Sequence, residues 1–293
     1  ILDNLELQVH QGKTPKYLNK KAEFIKGDVR DFDFFKKTLD GIDAVFHFAG
    51  AVGVGQSQYQ IKRYIDVNVG GTANLLDIII NQDRRINKII VAASMSSYGE
   101  GLYNCEKCGK VRPPLRDEEH LKNKGWEPKC PHCGGNLNPV STGEEAVQYS
   151  NSIYALSKKN QEDMVMNIGK TYNIPSVALR FFNVYGPRQS LSNPYTGVAA
   201  IFMSRIKNSH SPVIYEDGLQ TRDFISVYDV VDACVLAMEK SEADYEVFNV
   251  GSGTPLTIRR IAEILAELYG ANIKPDINGK FRKGDVRHCY ADV

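Results

Sequence analysis

The chain has 293 residues, 42% of them hydrophobic, with 36 Lys and Arg against 35 Asp and Glu and a formal net charge of +1. That length allows a large buried core and about two domains, the balanced charge supplies no field to recruit nucleic acid or an anionic membrane, and no apolar run approaches the roughly 20 residues that span a bilayer. No signal-peptide pattern opens the sequence, so a cytoplasmic, reducing location is expected.

In chain order, "AEFIKGDVRD" reads as a short strand running into a turn, and "DFFKKTLDGI" as a helix with apolar spacing near 3.6. "DAVFHFAG" is a nearly continuous apolar run ending in small residues, the pattern of a strand buried on both faces. A helix follows through "IDVNVGGTANLLDIIINQ", then the strand "INKIIVAAS", the helix "YALSKKNQEDMVMNIGKTY" and the strand "PSVALRFF". This alternation predicts an α/β fold, a doubly wound parallel sheet with helices on both faces, over residues 1–182. From Asn183 the pattern loosens into shorter elements: "VAAIFMSRIKN", "RDFISVYDVVDACVLAMEK" and "TIRRIAEILAELYG". Residues 183–293 are therefore expected to form mainly a second, smaller unit on top of the sheet.

In open parallel sheets, ligands bind beyond the carboxyl ends of the strands. The residues that fall there are Asp3, Asp28, Ala49–Gly50–Ala51, Ser94 and the segment after Phe182. "YALSK" adds Tyr154 and Lys158, four apart and so on one helix face. A phenol is a poor base at neutral pH, and a nearby ammonium stabilises its phenolate. The pair is thus a device for moving a proton on and off an alcohol, although Tyr-x-x-x-Lys alone is more often the pattern of an exposed helix face.

The stretch "YNCEKCGKVRPPLRDEEHLKNKGWEPKCPHCGG" interrupts this alternation. It holds four of the six cysteines, as two Cys-x-x-Cys knuckles: Cys105 with Cys108, and Cys130 with Cys133. Four thiolates suit a closed, tetrahedral zinc site that is structural because it leaves no position for water. Reduced or disulfide-paired cysteines are the alternative. His132, inside the second knuckle, reads as a bystander, and Cys234 and Cys289 as plain buried thiols. Basic runs flank an acidic "DEEH", so the patch is mixed and does not favour nucleic acid. An inserted zinc ribbon over 101–140, serving as a lid or an oligomer contact beside the site, is the expectation.

The surrounding motifs raise the weight of the Tyr–Lys pair. They are "GDVRD", "FHFAG", "NVGGTANLL" and "VAASMSSYGEG" upstream, and "RFFNVYGPRQ", "QTRDFISVYDV", "FNVGSG" and "RKGDVRHCYAD" downstream. Together, and in this order, they resemble the extended short-chain dehydrogenase/reductase family, in its NAD-dependent nucleotide-sugar epimerase/dehydratase branch. The resemblance covers nearly the whole chain outside the insert. It implies a Rossmann-type sheet, NAD as cofactor, a nucleotide-diphosphate sugar as substrate and a homodimer built on a four-helix contact.

Residue by residue, the resemblance implies that Tyr154 and Lys158 are the catalytic pair and that Ser94, with Ser96 as fallback, binds the reacting sugar oxygen. Asp3 would grip the adenosine ribose, and Asp28 and Val29 the adenine. Ala49, Gly50 and Ala51 would let cofactor approach the backbone, and Asn68 would lie near the nicotinamide half. Phe182, Asn183 and Val184 would close over nicotinamide and substrate. Arg222 and Arg282 would clamp the sugar nucleotide's diphosphate, a task suited to planar guanidinium groups. Asp285 would lie at the nucleoside ribose with Arg287 nearby. Each taken singly also fits a bland surface or turn role.

Three departures from the family pattern stand out. The Gly-x-x-Gly-x-x-Gly turn that cradles the cofactor pyrophosphate is absent, so the chain is expected to begin at the second strand, to lack a closing C-terminal helix, and to bind NAD weakly. The 60 positions from Ser94 to Tyr154 exceed the family spacing by about the length of the cysteine stretch. The resemblance includes a subgroup with such a ribbon, in which dTDP-rhamnose-type 4-epimerases occur. Finally, Met95 and Ser96 follow Ser94 where family dehydratases carry Asp-Glu. Epimerisation at C4 through a 4-keto sugar is therefore expected, with a 4,6-dehydratase or a non-catalytic nucleotide-sugar or partner-binding protein as the alternatives.

Overall fold

Residues Lys88–Ser94, "KIIVAAS", form the strand at the heart of the molecule, and all seven are buried. In this computed structural model, which describes residues 1–82, 85–191, 193 and 197–293, that strand pairs in parallel with Ala44–His47 on one side and Ser176–Phe181 on the other. Val247–Val250 completes a four-stranded parallel sheet beyond Ser176–Phe181. Successive side chains of the central strand leave by opposite faces. Ile89, Val91 and Ala93 pack with Leu75 and Ile79 of helix Gly71–Asn81 and Val165 of helix Ile153–Tyr172. Ile90 instead packs with Val177, Leu179 and Val230 and Cys234 of helix Val227–Glu239. The sheet is thus covered on both faces, as the strand–helix alternation predicts.

Three features differ from the sequence expectation. Phe46 and Phe48 are 44% and 46% exposed, so the "DAVFHFAG" segment is not buried on both faces. Among the described residues Ala44–His47 pairs only with Lys88–Ser94, which makes it an edge of this sheet. The parallel pair Leu2–Asp3 and Ile25–Lys26 stands as a separate two-stranded sheet. The chain beyond 182 also returns to the main sheet, through Val247–Val250 and the helix Val227–Glu239 beneath it.

The rest of that C-terminal stretch forms a smaller sheet. Thr221–Ser226 runs parallel to Asn183–Tyr185 and His288–Cys289 and antiparallel to Pro255–Thr257. Helices Val198–Lys207 and Ile258–Leu268 close over it through Phe202, Ile214, Phe224 and Ile261.

The cysteine stretch folds as a three-stranded antiparallel unit, with Leu102–Cys105 between Gly109–Val111 and Asn138–Val140. Its small core is Tyr103, Cys105, Val111, Cys130 and Leu137. Asp117 caps the short helix Glu118–Lys122 by accepting from the His120 N–H at 2.7 Å. Cys234 and Cys289 are buried thiols, as expected. No helix among the described residues is long and apolar enough to cross a membrane.

Candidate active site

The crevice beyond the carboxyl ends of the strands gathers side chains from five segments. Ser94 ends the central strand, and its Oγ accepts from the Ser96 N–H at 3.2 Å and lies 2.9 Å from Ser96 Oγ. Tyr154 enters from the first turn of helix Ile153–Tyr172, whose start is fixed by Ser152 capping the Ala155 N–H at 3.1 Å. The Tyr154 backbone N–H is taken by Ser57 Oγ at 3.0 Å, and its ring meets Tyr64 edge-on with centroids 6.3 Å apart. The Ser94 side chain acts on the Tyr154 phenol, favouring its ionised form against burial. The structure therefore brings Ser94, Ser96 and Tyr154 together.

Lys158, one turn along the same helix, is 5% exposed and donates to Gln161 Oε1 at 2.8 Å. Burial holds its ammonium down at about 8. Burial pushes the Tyr154 phenol up, opposed by the Ser94 side chain. The expected lowering of the phenol by its neighbouring ammonium is not seen: burial dominates, and Lys158 is turned to Gln161. Gln161, which the sequence reading missed, is the side chain that Lys158 meets. It also donates to Thr72 Oγ1 at 2.9 Å, while His47 Nε2 lies 2.8 Å from the same hydroxyl. Its only sequence signal is a position three beyond Lys158 on a buried face.

Asn68 lies on a π-helical turn, Ile65–Gly70, and is fully buried. Such wide turns recur at functional sites because they re-aim one side chain. Here the amide accepts from the Ala51 N–H at 2.7 Å and donates to Ala51 O at 3.1 Å and Ser157 Oγ at 2.8 Å. It thereby pins the Ala49–Gly50–Ala51 turn. A Cβ on Gly50 would come 3.3 Å from Asn68 Oδ1 and 3.6 Å from Lys158 Nζ, in the space between turn and lysine. Asn183 Oδ1 is buried with no hydrogen-bond partner among the described residues. Val184 sits beside Asn183 in a strand paired to Thr221–Ser226. Phe182 packs instead into a small core with Tyr98, Cys289 and Ala291.

Asp3 ends its strand and accepts from the Leu5 N–H at 2.7 Å, with His10 3.8 Å away. Asp28 is gripped by Arg30 Nη2 at 2.7 Å and Asn4 Nδ2 at 2.9 Å, and the Arg30 hydrogen bond holds its carboxyl well below the usual range. Val29 packs against Gly71, where a Cβ would come 2.5 Å from Val29 Cγ2.

The candidate diphosphate residues divide. Arg222 Nη2 reaches Asp285 Oδ1 at 3.1 Å and Val286 O at 2.5 Å, while Nη1 donates to Thr221 O and Arg287 O. Arg282 is exposed, with its guanidinium stacked 4.7 Å over the Tyr215 ring. Arg287 is fully buried and bonds Glu127, Glu216 and Asp217, so it faces the ribbon. Arg116 completes that group, and neither it nor Glu127 stood out in the sequence.

In the ribbon, one Sγ from each of Cys105, Cys108, Cys130 and Cys133 lies within 4.8 Å of all the others, and none forms a disulfide. Four thiolates around a zinc ion with bonds near 2.3 Å would be spaced by roughly 3.8 Å. The donor set fits a metal, and His132 is not part of it.

Comparison with known proteins places this geometry. A profile described as the NAD dependent epimerase/dehydratase family matches residues 2–119 and 133–251. The chain belongs to that family. The interruption falls within the cysteine-bearing insertion. A dTDP-L-rhamnose 4-epimerase of Burkholderia thailandensis is 34% identical over 296 residues, covering 100% of this chain and 80% of that protein. Among solved structures, a UDP-glucose 4-epimerase of Thermotoga maritima with UDP-glucose aligns at TM-score 0.79 and 28% identity, over 99% of this chain and 80% of that one. A UDP-N-acetylglucosamine 4-epimerase of Methanobrevibacter ruminantium in complex with UDP-N-acetylmuramic acid aligns at 0.74 and 30%, over 100% and 80%.

Proposed function

We propose that this family member is an isomerase that inverts C4 of a nucleotide-linked hexose through a transient 4-keto sugar. The observation that carries the reading is the grouping of Ser94, at the end of the central strand, with Tyr154 in the first turn of helix Ile153–Tyr172 and the buried Lys158 one turn along it. Tyr154 would take the 4-hydroxyl proton and later return it, while Ser94 holds the same oxygen by a hydrogen bond. The buried Lys158 supplies positive charge beside the phenol once its ammonium turns from Gln161 toward the crevice. Arg222 and Arg282 would hold the diphosphate while the hexose turns, with Asp285 at the ribose.

NAD fits the residues present: Gly50 leaves a gap that a Cβ would fill, and Asn183 brings a buried acceptor that lacks a donor. NAD held there would supply reversible hydride chemistry at C4, with no net oxidation of the sugar. Ala49, Gly50, Ala51, Asn68 and Val184 would line its nicotinamide half with Phe182 behind them, and Asp3, Asp28 and Val29 its adenosine half. Zinc, held by Cys105, Cys108, Cys130 and Cys133, would offset the ordering entropy of a ribbon with only a small core. A homodimer is part of the same reading.

A 4,6-dehydratase needs an acid and base beside the catalytic serine. Met95 and Ser96 offer neither, and Glu100 turns away into contact with Arg287 and Tyr103. The test is to incubate the chain with NAD and UDP-glucose or dTDP-L-rhamnose and follow the sugar by NMR. A C4-inverted product is expected, a 4-keto-6-deoxy product would favour the dehydratase, and no turnover with any nucleotide hexose would overturn the enzyme reading.

A further inference from the structure

The ribbon meets the C-terminal segment across a seam of buried charge. Arg116, from the ribbon, has a side chain only 2% exposed. It donates to Glu216 Oε2 at 2.9 Å, to the Trp126 carbonyl at 2.9 Å and to the Asp285 carbonyl at 3.0 Å. Glu127, at the ribbon's rim, accepts from Arg287 Nη2 at 2.6 Å and lies 3.0 Å from His288 Nε2. Glu100, where the ribbon begins, accepts the Arg287 backbone N–H at 2.8 Å. Gly101 has φ +77°, and a Cβ there would strike the His288 carbonyl at 2.9 Å, so the ribbon stem is pressed directly against this segment.

Apart from the Arg116 bonds to Glu216 and to the Trp126 carbonyl, these contacts fall on residues 285–288. The same residues form the seat of Arg222, which bonds Asp285 Oδ1, Val286 O and Arg287 O. Burying charges against an irregular segment is expensive unless each is paired, and removing one member leaves its partners uncompensated. Such a network fixes geometry more than it adds net stability.

We infer that the ribbon is a buttress for the nucleotide-diphosphate clamp, with Arg116 as its central positioning residue: the Arg116–Asp285 carbonyl contact and the Glu127–Arg287 pair set where Asp285 and Arg222 stand. Arg116 does not itself reach the crevice residues Ser94 or Tyr154 in any described contact. It acts through the backbone of Asp285 and the shared carboxylate of Glu216, which also receives Arg287 Nη1 at 2.9 Å. The inference rests on the reading of Arg222 and Asp285 as nucleotide-sugar contacts.

The experiment uses the whole chain with its metal and the variants Arg116→Met, Arg116→Lys and Glu127→Gln. UDP and dTDP binding is measured by calorimetry, NAD binding by fluorescence, and KM and kcat with UDP-glucose and dTDP-L-rhamnose. Arg116→Met should weaken nucleotide-diphosphate binding and raise KM by about 10-fold or more while kcat stays within about twofold and NAD binding is unchanged. Arg116→Lys should recover part of the loss, because a lysine reaches one acceptor rather than three. Glu127→Gln should weaken binding several-fold, and since its side chain is half exposed it serves as the test if Arg116→Met does not fold. Wild-type affinity in both Arg116→Met and Glu127→Gln overturns the inference, as does a joint loss of NAD binding, nucleotide binding and kcat. A wild-type chain that binds neither UDP nor dTDP overturns the nucleotide-sugar reading itself, and the inference with it.

Discussion

The sheet and the ribbon seam are held together by opposite chemistry. Around Lys88–Ser94 the contacts are apolar, from Leu75 and Val165 on one face to Val177 and Val230 on the other. Between the ribbon and residues 285–288 they are ionic and buried, with Arg116, Glu100, Glu216 and Arg287 each under 5% exposed at the side chain. An apolar core tolerates shifts that keep its volume, whereas a buried ion network requires each distance to be kept. The difference suits the proposed division, in which the sheet would carry the chemistry and the seam would set where a ligand's charged end rests.

The largest test of this contrast concerns Lys158, a charge inside the apolar region. Lys158→Met should lower turnover by about 10³-fold. The same change should stabilise the chain at neutral pH. Burial holds the Lys158 ammonium at about 8 against an ordinary 10.5, so the unfolded chain binds more protons between those values and stability rises with pH through that window. Below pH 8 the buried charge costs about 1–3 kcal/mol after the Gln161 hydrogen bond is counted, and methionine removes that cost. Thermal melts at pH 7 and pH 10 check it: the variant's advantage should shrink at the higher pH. A variant less stable than wild type at pH 7 would mean that the lysine belongs to a satisfied network like that of the seam.

Next in size is the sheet itself. Ile90, fully buried, should lose about 2–5 kcal/mol on Ile90→Ala, with no dependence on pH between 5 and 8. Denaturant melts at both values measure this. Removing the zinc proposed for the ribbon should act elsewhere. Chelation should speed amide hydrogen exchange in 102–140 and 285–288 and leave Lys88–Ser94 protected. Equal loss of protection in the central strand would erase the distinction between the two regions.

How much of this was legible depends on the kind of contact. "INKIIVAAS" announced a buried strand because its apolar run needs no partner to be recognised, and Tyr154 and Lys158 could be placed on one face from helical spacing alone. The knuckles were legible because short chelate loops leave a spacing signature. The edge position of Ala44–His47, and with it the exposure of Phe46 and Phe48, was not, since an apolar run reads alike in the middle and at the rim of a sheet. The return of Val247–Val250 to the main sheet was equally silent, as strand order leaves no mark on a single strand. The seam was hidden most completely. Arg116 pairs with Glu216 across 100 positions and Arg287 with Glu127 across 160, and charges at such separations carry no periodicity. Arg287 drew notice only through its neighbours in "RKGDVRHCYAD".

The smallest expected effect is also the one that separates the regions by mechanism. Burial, opposed by the Arg116 guanidinium 3.5 Å away, pushes the Glu100 carboxyl up to about 7 from an ordinary 4.5. Between those values the folded chain keeps a proton that the unfolded chain has released, so this group's contribution is present in full below pH 4.5 and is lost as pH rises through 7. Glu100→Gln keeps an acceptor for the Arg287 N–H and the Tyr103 hydroxyl, and Arg116 keeps Glu216. The variant should therefore match wild type near pH 5 and exceed it by about 1–2 kcal/mol at pH 8, read as a difference between paired melts. An offset that stays constant across that range would mean that Glu100 is ionised throughout and fully paired, and that the seam, like the sheet, does not titrate.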